Sequence, residues 1–180
     1  LKPLHRIIQK AHQANTFWLD MNLKIKINAF PWPRFFMDFE TAQQGVPMLR
    51  DTKPYDALPF QWSVHRWDRP EQEIILEDGM SFLDFYSPDM DRKFLESLLI
   101  AVGTEGPIFV HNASFERTIL KNLVKRKSCH DLLPAIDLLI ARIEDTLELT
   151  QLGFYSPAMM GSFSLKEIVK AIPTTVNYNN

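Results

Sequence analysis

The sequence predicts a mixed α/β fold with helices on both faces of its sheet, on three observations. Residues 35–40 and 60–67 are aromatic and β-branched runs set off by prolines, which reads as a pair of strands. Ile108-Phe109-Val110 is short and wholly apolar between two helical patterns, as a strand in the buried middle of a sheet is. The resulting order β, β, β, α, β, α, α, β, α places a parallel crossover after an antiparallel start, so the sheet is expected to be mixed.

Taken in order, residues 3–14 can form a helix with Leu4, Ile7, Ile8 and Ala11 on one face, and residues 23–27 alternate like a short strand. Together residues 1–33 read as a helical arm or linker from a preceding region, and residues 34–180 as the main domain. Pro31 and Pro33 flank Trp32 and stop any helix, so the chain enters the first strand extended. A loop with Gly45, Pro47, Asp51, Pro54 and Pro59 leads to the second strand, residues 68–71 make a turn, and residues 73–77 read as the hairpin partner. Ser87-Pro88 matches a cap with proline in the first turn, opening a helix through about Val102 that Gly103 and Gly106-Pro107 end. Helices follow at residues 113–127, with Phe115, Ile119, Leu120 and Leu123 inward, and at 131–143. Residues 146–149 read as a short strand and 164–171 as a last helix.

The composition bounds the class. A chain of 180 residues, 46% hydrophobic and 12% aromatic, is globular with a sizeable core. Its net charge of -2 and pI near 6.2 give no general attraction to nucleic acid or membrane, so any polyanion must be held by a local basic patch or by metal ions. One cysteine, Cys129, excludes an internal disulfide and a cysteine-rich zinc site, and reads as a buried small apolar residue. With no apolar run long enough for a membrane span and no signal-peptide core at the start, the expected location is the cytoplasm.

The chemistry gathers at Asp38 and Glu40. Side chains at i and i+2 of a strand share a face, so two anions stand side by side in what otherwise reads as a buried strand. Burying unpaired carboxylates costs on the order of several kcal/mol, and the remedies are a raised pKa, a basic partner or a divalent cation. No basic residue follows Arg34 in that strand, which favours a cation; the other reading is an edge strand with both acids in water. A third carboxylate, Glu116, opens the helix after the Ile108-Val110 strand. It can remain ionised there through the helix N-terminus alone, or approach the Asp38/Glu40 pair if the two strands are neighbours.

Asp38-Phe39-Glu40-Thr41 resembles the first motif of the DnaQ-like (DEDD) exonucleases, and His111-Asn112-Ala113-Ser114-Phe115-Glu116 resembles their second. Residues 145–149 and 162–169 resemble the segments that follow in the same order. A closer resemblance, over about residues 34–172, is to the bacterial family known as domain of unknown function 2779. It is carried by residues 36–41, Pro54-Tyr55, Pro59-Phe60-Gln61, Ser63-Val64-His65, residues 112–116 and 142–145, Tyr155-Ser156-Pro157 and residues 161–166.

These resemblances imply an RNase H-like fold with a mixed five-stranded sheet, and a 3′-to-5′ exonuclease acting on single-stranded DNA or RNA ends. Two Mg²⁺ or Mn²⁺ ions, roughly 3.5 to 4 Å apart in such sites, would be held by Asp38, Glu40 and Glu116. Thr41, His111 and Asn112 are the implied substrate contacts. Glu116 stands where most of the superfamily carries Asp, as it does in the closer family. The superfamily also supplies a fourth carboxylate with a His or Tyr from a late helix. After Glu148 the only acid here is Glu167, so that third motif is expected beyond Asn180 or absent, with other domains of a longer chain as partners. Two further readings stand beside the exonuclease: a non-catalytic nucleic-acid- or protein-binding module, and a scaffold with a structural cation. Trp62, Trp67 and Phe60 are expected in a core, and Lys121, Lys125, Arg126 and Lys127 form a basic stripe that reads first as a solvated helix face.

Overall fold

A computed structural model of the chain describes residues 2–47, 52–75 and 79–172. It divides into two compact units, Leu1–Phe30 with Asp145–Asn180, and Pro31–Glu144.

The first unit opens with α1 (Pro3–Ala14), which has proline in its first turn and closes on Asn15 in the left-handed conformation (φ 46°). β1 (Trp18–Leu19) leads to α2 (Met21–Ala29), whose cap, Asp20, accepts the Asn22 N–H at 2.8 Å. Residues 23–27 are therefore helical rather than strand-like. Leu23, Ile25 and Ile27 alternate in sequence, but the Asp20 cap and a neighbouring helix, described below, decide the local structure.

The second unit holds the sheet. β2 (Arg34–Gln43) pairs antiparallel with β3 (Ala57–Trp67) from Arg34 opposite Trp67 to Gln43 opposite Ala57, with a bulge between Glu40 and Thr41. β4 (Ser81–Leu83) pairs antiparallel with β3, Ser81 opposite Ser63 and Leu83 opposite Gln61. The expected hairpin partner at 73–77 is replaced by this strand: only the bridge Arg66–Ile75 forms there, and residues 76 and 77 lie outside the described residues. α3 (Met90–Val102) follows, then β5 (Ile108–Val110), parallel to β2 with Phe35 opposite Ile108. α4 (Ala113–Leu123), a 3₁₀ turn at Lys127–Leu132, α5 (Leu133–Ala141) and β6 (Ile143–Asp145) complete it.

The strand order is β4-β3-β2-β5-β6, a five-stranded mixed sheet with β2 at its centre, consistent with the RNase H-like layout expected. Phe35, Met37, Phe39, Trp62, Val64, Ile108 and Val110 point to one face and pack with Phe94, Leu95 and Leu98 of α3, Ile119 and Leu120 of α4 and Ile136 of α5. This core is where the apolar half of each strand is spent. Trp62 belongs to it, whereas Phe60 is half-buried against Phe85 and Trp67 half-buried edge-on to Trp32. Phe115, expected inward, is exposed, because the buried stripe of α4 runs through Ala113, Glu116, Ile119, Leu120 and Leu123. Cys129 is buried, and burial pushes its thiol pKa up.

The chain then returns to the first unit. Residues 146–149, expected as a strand, begin α6 (Thr146–Gly153). Asp145 caps it by accepting the N–H groups of Leu147 (2.9 Å) and Glu148 (3.4 Å). The pattern Asp145-Thr-Leu-Glu148 is the capping signal that marks this start. Gly153 is required where α6 ends against α2, since a β-carbon there would stand 2.6 Å from Leu23 Cβ. β7 (Phe154–Tyr155) pairs with β1, and α7 (Leu165–Ala171) ends the described chain. Tyr155, Met159, Ile168 and Ala11 form a small core of this unit, with the Tyr155 hydroxyl 2.7 Å from His12 Nε2. Among the described residues no helix is long and apolar enough to cross a membrane.

Candidate functional site

The alternation of β2 sorts its residues. Phe35, Met37 and Phe39 go to the core, so Asp38 and Glu40 go to the other face, and both are exposed. This corrects the expectation of a strand buried on both sides. Nor is β2 an edge strand, since β3 and β5 flank it. The two acids stand in water on a central strand because that face opens at their position. β5 pairs with β2 at Phe35 and Phe36 and has ended at Val110, leaving the β2 rim past Met37 without its parallel neighbour.

Across the ladder, Ser63 lies opposite Asp38 and Gln61 opposite Glu40, so two neutral hydrogen-bonding side chains border the acids on the same face. The alternation Gln61, Ser63, His65 within an aromatic strand is the sequence signal for this polar strip, and no role follows from it until the register is known. Phe36, on the same face, stacks on Phe109 with ring centroids 5.4 Å apart and walls the strip on the β5 side.

β5 feeds directly into α4. His111 is half-buried after the strand; Asn112 is exposed and left-handed (φ 75°), its side-chain Oδ1 accepting the Ser114 hydroxyl at 2.8 Å. Asn suits that backbone better than most residues, and the turn aims the first turn of α4 back over the sheet. Glu116 is in this first turn, 3% exposed, on the inward stripe of the helix. Thr41 follows the β2 bulge, half-buried opposite Pro59.

The parallel neighbours β2 and β5 thus put Asp38 and Glu40 in the middle of β2, just past the level at which β5 ends and leads through His111 and Asn112 into Glu116 of α4. The structure brings Asp38 and Glu40 onto one open face and keeps Glu116 on the buried stripe of α4. Among the described residues no group of three or more His, Cys, Asp or Glu side chains is close enough to hold a metal ion.

The frame under this site is held by a half-buried cation. Arg142, before β6, donates from Nε to the Gly106 carbonyl (2.7 Å), from Nη1 to Gly103 (2.5 Å) and from Nη2 to Val102 (2.9 Å) and to Glu105. It ties the loop between α3 and β5, and thereby the position of β5 beside β2, while the Ile108 N–H donates to the Arg142 carbonyl at 2.9 Å.

The family model described as Domain of unknown function (DUF2779) matches residues 35–164. The chain belongs to this family. No curated protein and no solved structure matches the chain. The DUF2779 match takes in all five strands of the sheet, both acids of β2, the Asn112 turn, Glu116 and the Arg142 anchor. Within this match, Arg142 anchors a loop and Asp145 caps a helix.

Proposed function

We propose that this chain is a metal-dependent exonuclease-like domain of the DnaQ-like (DEDD) type, hydrolysing phosphodiester bonds at the 3′ ends of single-stranded DNA or RNA in the cytoplasm. The observation that carries the reading is the placement of Asp38 and Glu40, exposed on one face of the central strand, beside a parallel strand that leads into Glu116.

The residues present suit Mg²⁺ or Mn²⁺. Such an ion keeps several waters and is commonly held by one or two carboxylates together with substrate phosphates, so an open pair of acids is a fitting cradle without an all-protein cage. Asp38 and Glu40 would hold the ions. Glu116, at the start of α4, would supply a third carboxylate. Bound there, the ions supply Lewis acidity and a nucleophilic water at neutral pH. The chain's own work is positional. Gln61 and Ser63 stand opposite the acids and could offer hydrogen bonds, and Thr41, His111 and Asn112 would contact a sugar or phosphate.

A second reading, a catalytically silent nucleic-acid-binding module on the same fold, is favoured by the absence of a three-acid cluster among the described residues. One experiment separates them. Mn²⁺ is titrated by calorimetry into the chain and into Asp38→Asn, and a 5′-labelled single-stranded oligonucleotide is followed for shortening from its 3′ end. Metal binding lost in the variant together with shortening by the parent supports the exonuclease. Oligonucleotide binding without Mn²⁺ affinity or shortening supports the module.

A further inference from the structure

We infer that Phe85 and Tyr86, with Leu83 and Phe60 beside them, form a platform on which unpaired bases of a single strand stack while its backbone lies at Asp38 and Glu40. The inference rests on the nucleic-acid substrate proposed above and names the part of that substrate this surface would hold.

The register of the sheet joins this platform to the acids. Glu40 lies opposite Gln61 and Gln61 opposite Leu83, so the three side chains form one row on the open face, and Leu83 stands two strand spacings, about 10 Å, from Glu40. At the same level the ladder carries its bulge: Glu40 pairs with Gln61 and Thr41 with Pro59, which leaves Phe60 as the extra residue. A bulge re-aims a side chain. Simple alternation would send Phe60 into the core with Trp62. Instead its ring stacks on Phe85, centroids 4.3 Å apart, and neither ring joins the core that takes in Trp62 and Phe82. The turn after Leu83 is pinned from two sides. The Asp84 N–H donates to the Phe60 carbonyl at 3.0 Å, and the Asp84 carboxylate accepts the N–H groups of Tyr86 and Ser87. Leu83 and Phe85 are exposed on this turn, and Tyr86 is 93% exposed.

Place and chemistry select the occupant. β4 runs in the direction of β2, as β5 does, so the turn after β4 lies at the edge of the sheet toward which β2 runs. The other exposed aromatic side chains of this unit among the described residues, Tyr55 and Phe115, belong to the same edge. The Tyr55 N–H donates to the Gln44 carbonyl just past β2, and Phe115 is in the first turn of α4 just past β5. At the opposite edge Trp32 and Trp67 are half-buried and packed on each other. Rings left uncovered at one edge only, in a chain of net charge -2, suit a ligand gripped by its π faces rather than by its phosphates. Unpaired bases are such a ligand. Stacking on an aromatic ring accepts any base, as removal of successive nucleotides from an end requires.

The test is binding of a 5′-fluorescein-labelled single-stranded oligonucleotide and of an abasic strand of the same length, followed by anisotropy with Ca²⁺ in place of Mn²⁺ and with strand length checked afterwards. The parent is compared with Tyr86→Ala, Phe85→Ala/Tyr86→Ala, Tyr86→Trp and, as an exposed apolar control on α3, Ile100→Ala, all matched for circular dichroism and melting. The parent is expected to bind the intact strand at least about tenfold more tightly than the abasic one. Tyr86→Ala should lower that ratio about fivefold, the double variant should abolish it, and Tyr86→Trp and Ile100→Ala should keep it, since one stacked base is worth roughly fivefold or more in affinity. Equal affinity of the parent for the two strands would overturn the inference, as would a ratio unchanged in both alanine variants or no binding of either strand. Base preference without shortening in Mn²⁺ would leave this inference standing and remove the exonuclease, and shortening without base preference would do the reverse.

Discussion

Gly106 lies against Pro33 so closely that a β-carbon on it would fall 1.9 Å from the Pro33 carbonyl oxygen, and its φ of 78° is in the region that favours glycine. Two backbone segments meet there: the entry to β2 and the entry to β5. The contact sets the register in which the two site-bearing strands run side by side. Gly106→Ala must separate them or distort the turn, and a loss of about 2–4 kcal/mol of stability is expected, read as a lowered denaturant midpoint with unchanged slope.

Arg142 holds the other side of the same loop. Its guanidinium is pushed down in pKa by burial and remains charged. Removing the fork in Arg142→Met leaves several carbonyls without their donor, at an expected cost of about 2–4 kcal/mol. Arg142→Lys restores the charge but not the geometry, so it should recover less than half of that loss. Recovery to the parent melting temperature would show that charge alone matters.

Asp38→Asn and Glu40→Gln separate a functional site from a structural one. Both side chains are exposed, so each change should alter stability by less than about 0.5 kcal/mol while Mn²⁺ affinity falls at least tenfold. A melting temperature that drops with the substitution as far as it drops with metal removal would instead indicate a structural cation.

Asp84 gives a pH signature. Its carboxylate is held down to about 2 by the Ser87 hydroxyl first and then by the N–H groups of Tyr86 and Ser87, with Oδ1 2.9 and 3.0 Å from those nitrogens. A group depressed on folding contributes stability that is present above its ordinary value of 3.8 and lost as pH falls toward 2. The melting-temperature difference between the parent and Asp84→Asn should be positive at pH 5 and shrink toward zero near pH 2. A difference constant over that range would mean that the turn before α3 does not depend on the charge.

The ion pair between Asp91 and Arg126 joins α3 to the turn after α4, with both side chains largely buried. Asp91→Ala leaves a guanidinium without its anion and should cost about 1–3 kcal/mol in chemical denaturation. Full stability in that variant would show that solvent reaches Arg126.

The long elements and the candidate residues were legible in the sequence, because their signals are local. The apolar stripe of α1, the strands through Phe39 and Trp62, the wholly apolar β5 and the ordered acidic motifs each lie within a short window of chain. So does the α6 cap at Asp145, although the apolar residues after it suggested a strand. Tertiary structure decided what depends on partners distant in sequence. Packing of α2 against Gly153 made a helix of the alternating residues 23–27, and pairing of β4 with β3 displaced the nearer segment around Ile75. The early end of β5 left one face of β2 open, so Asp38 and Glu40 stand in water instead of in a core. A strand's alternation shows that two side chains share a face, but whether that face is covered depends on neighbours contributed by the rest of the chain.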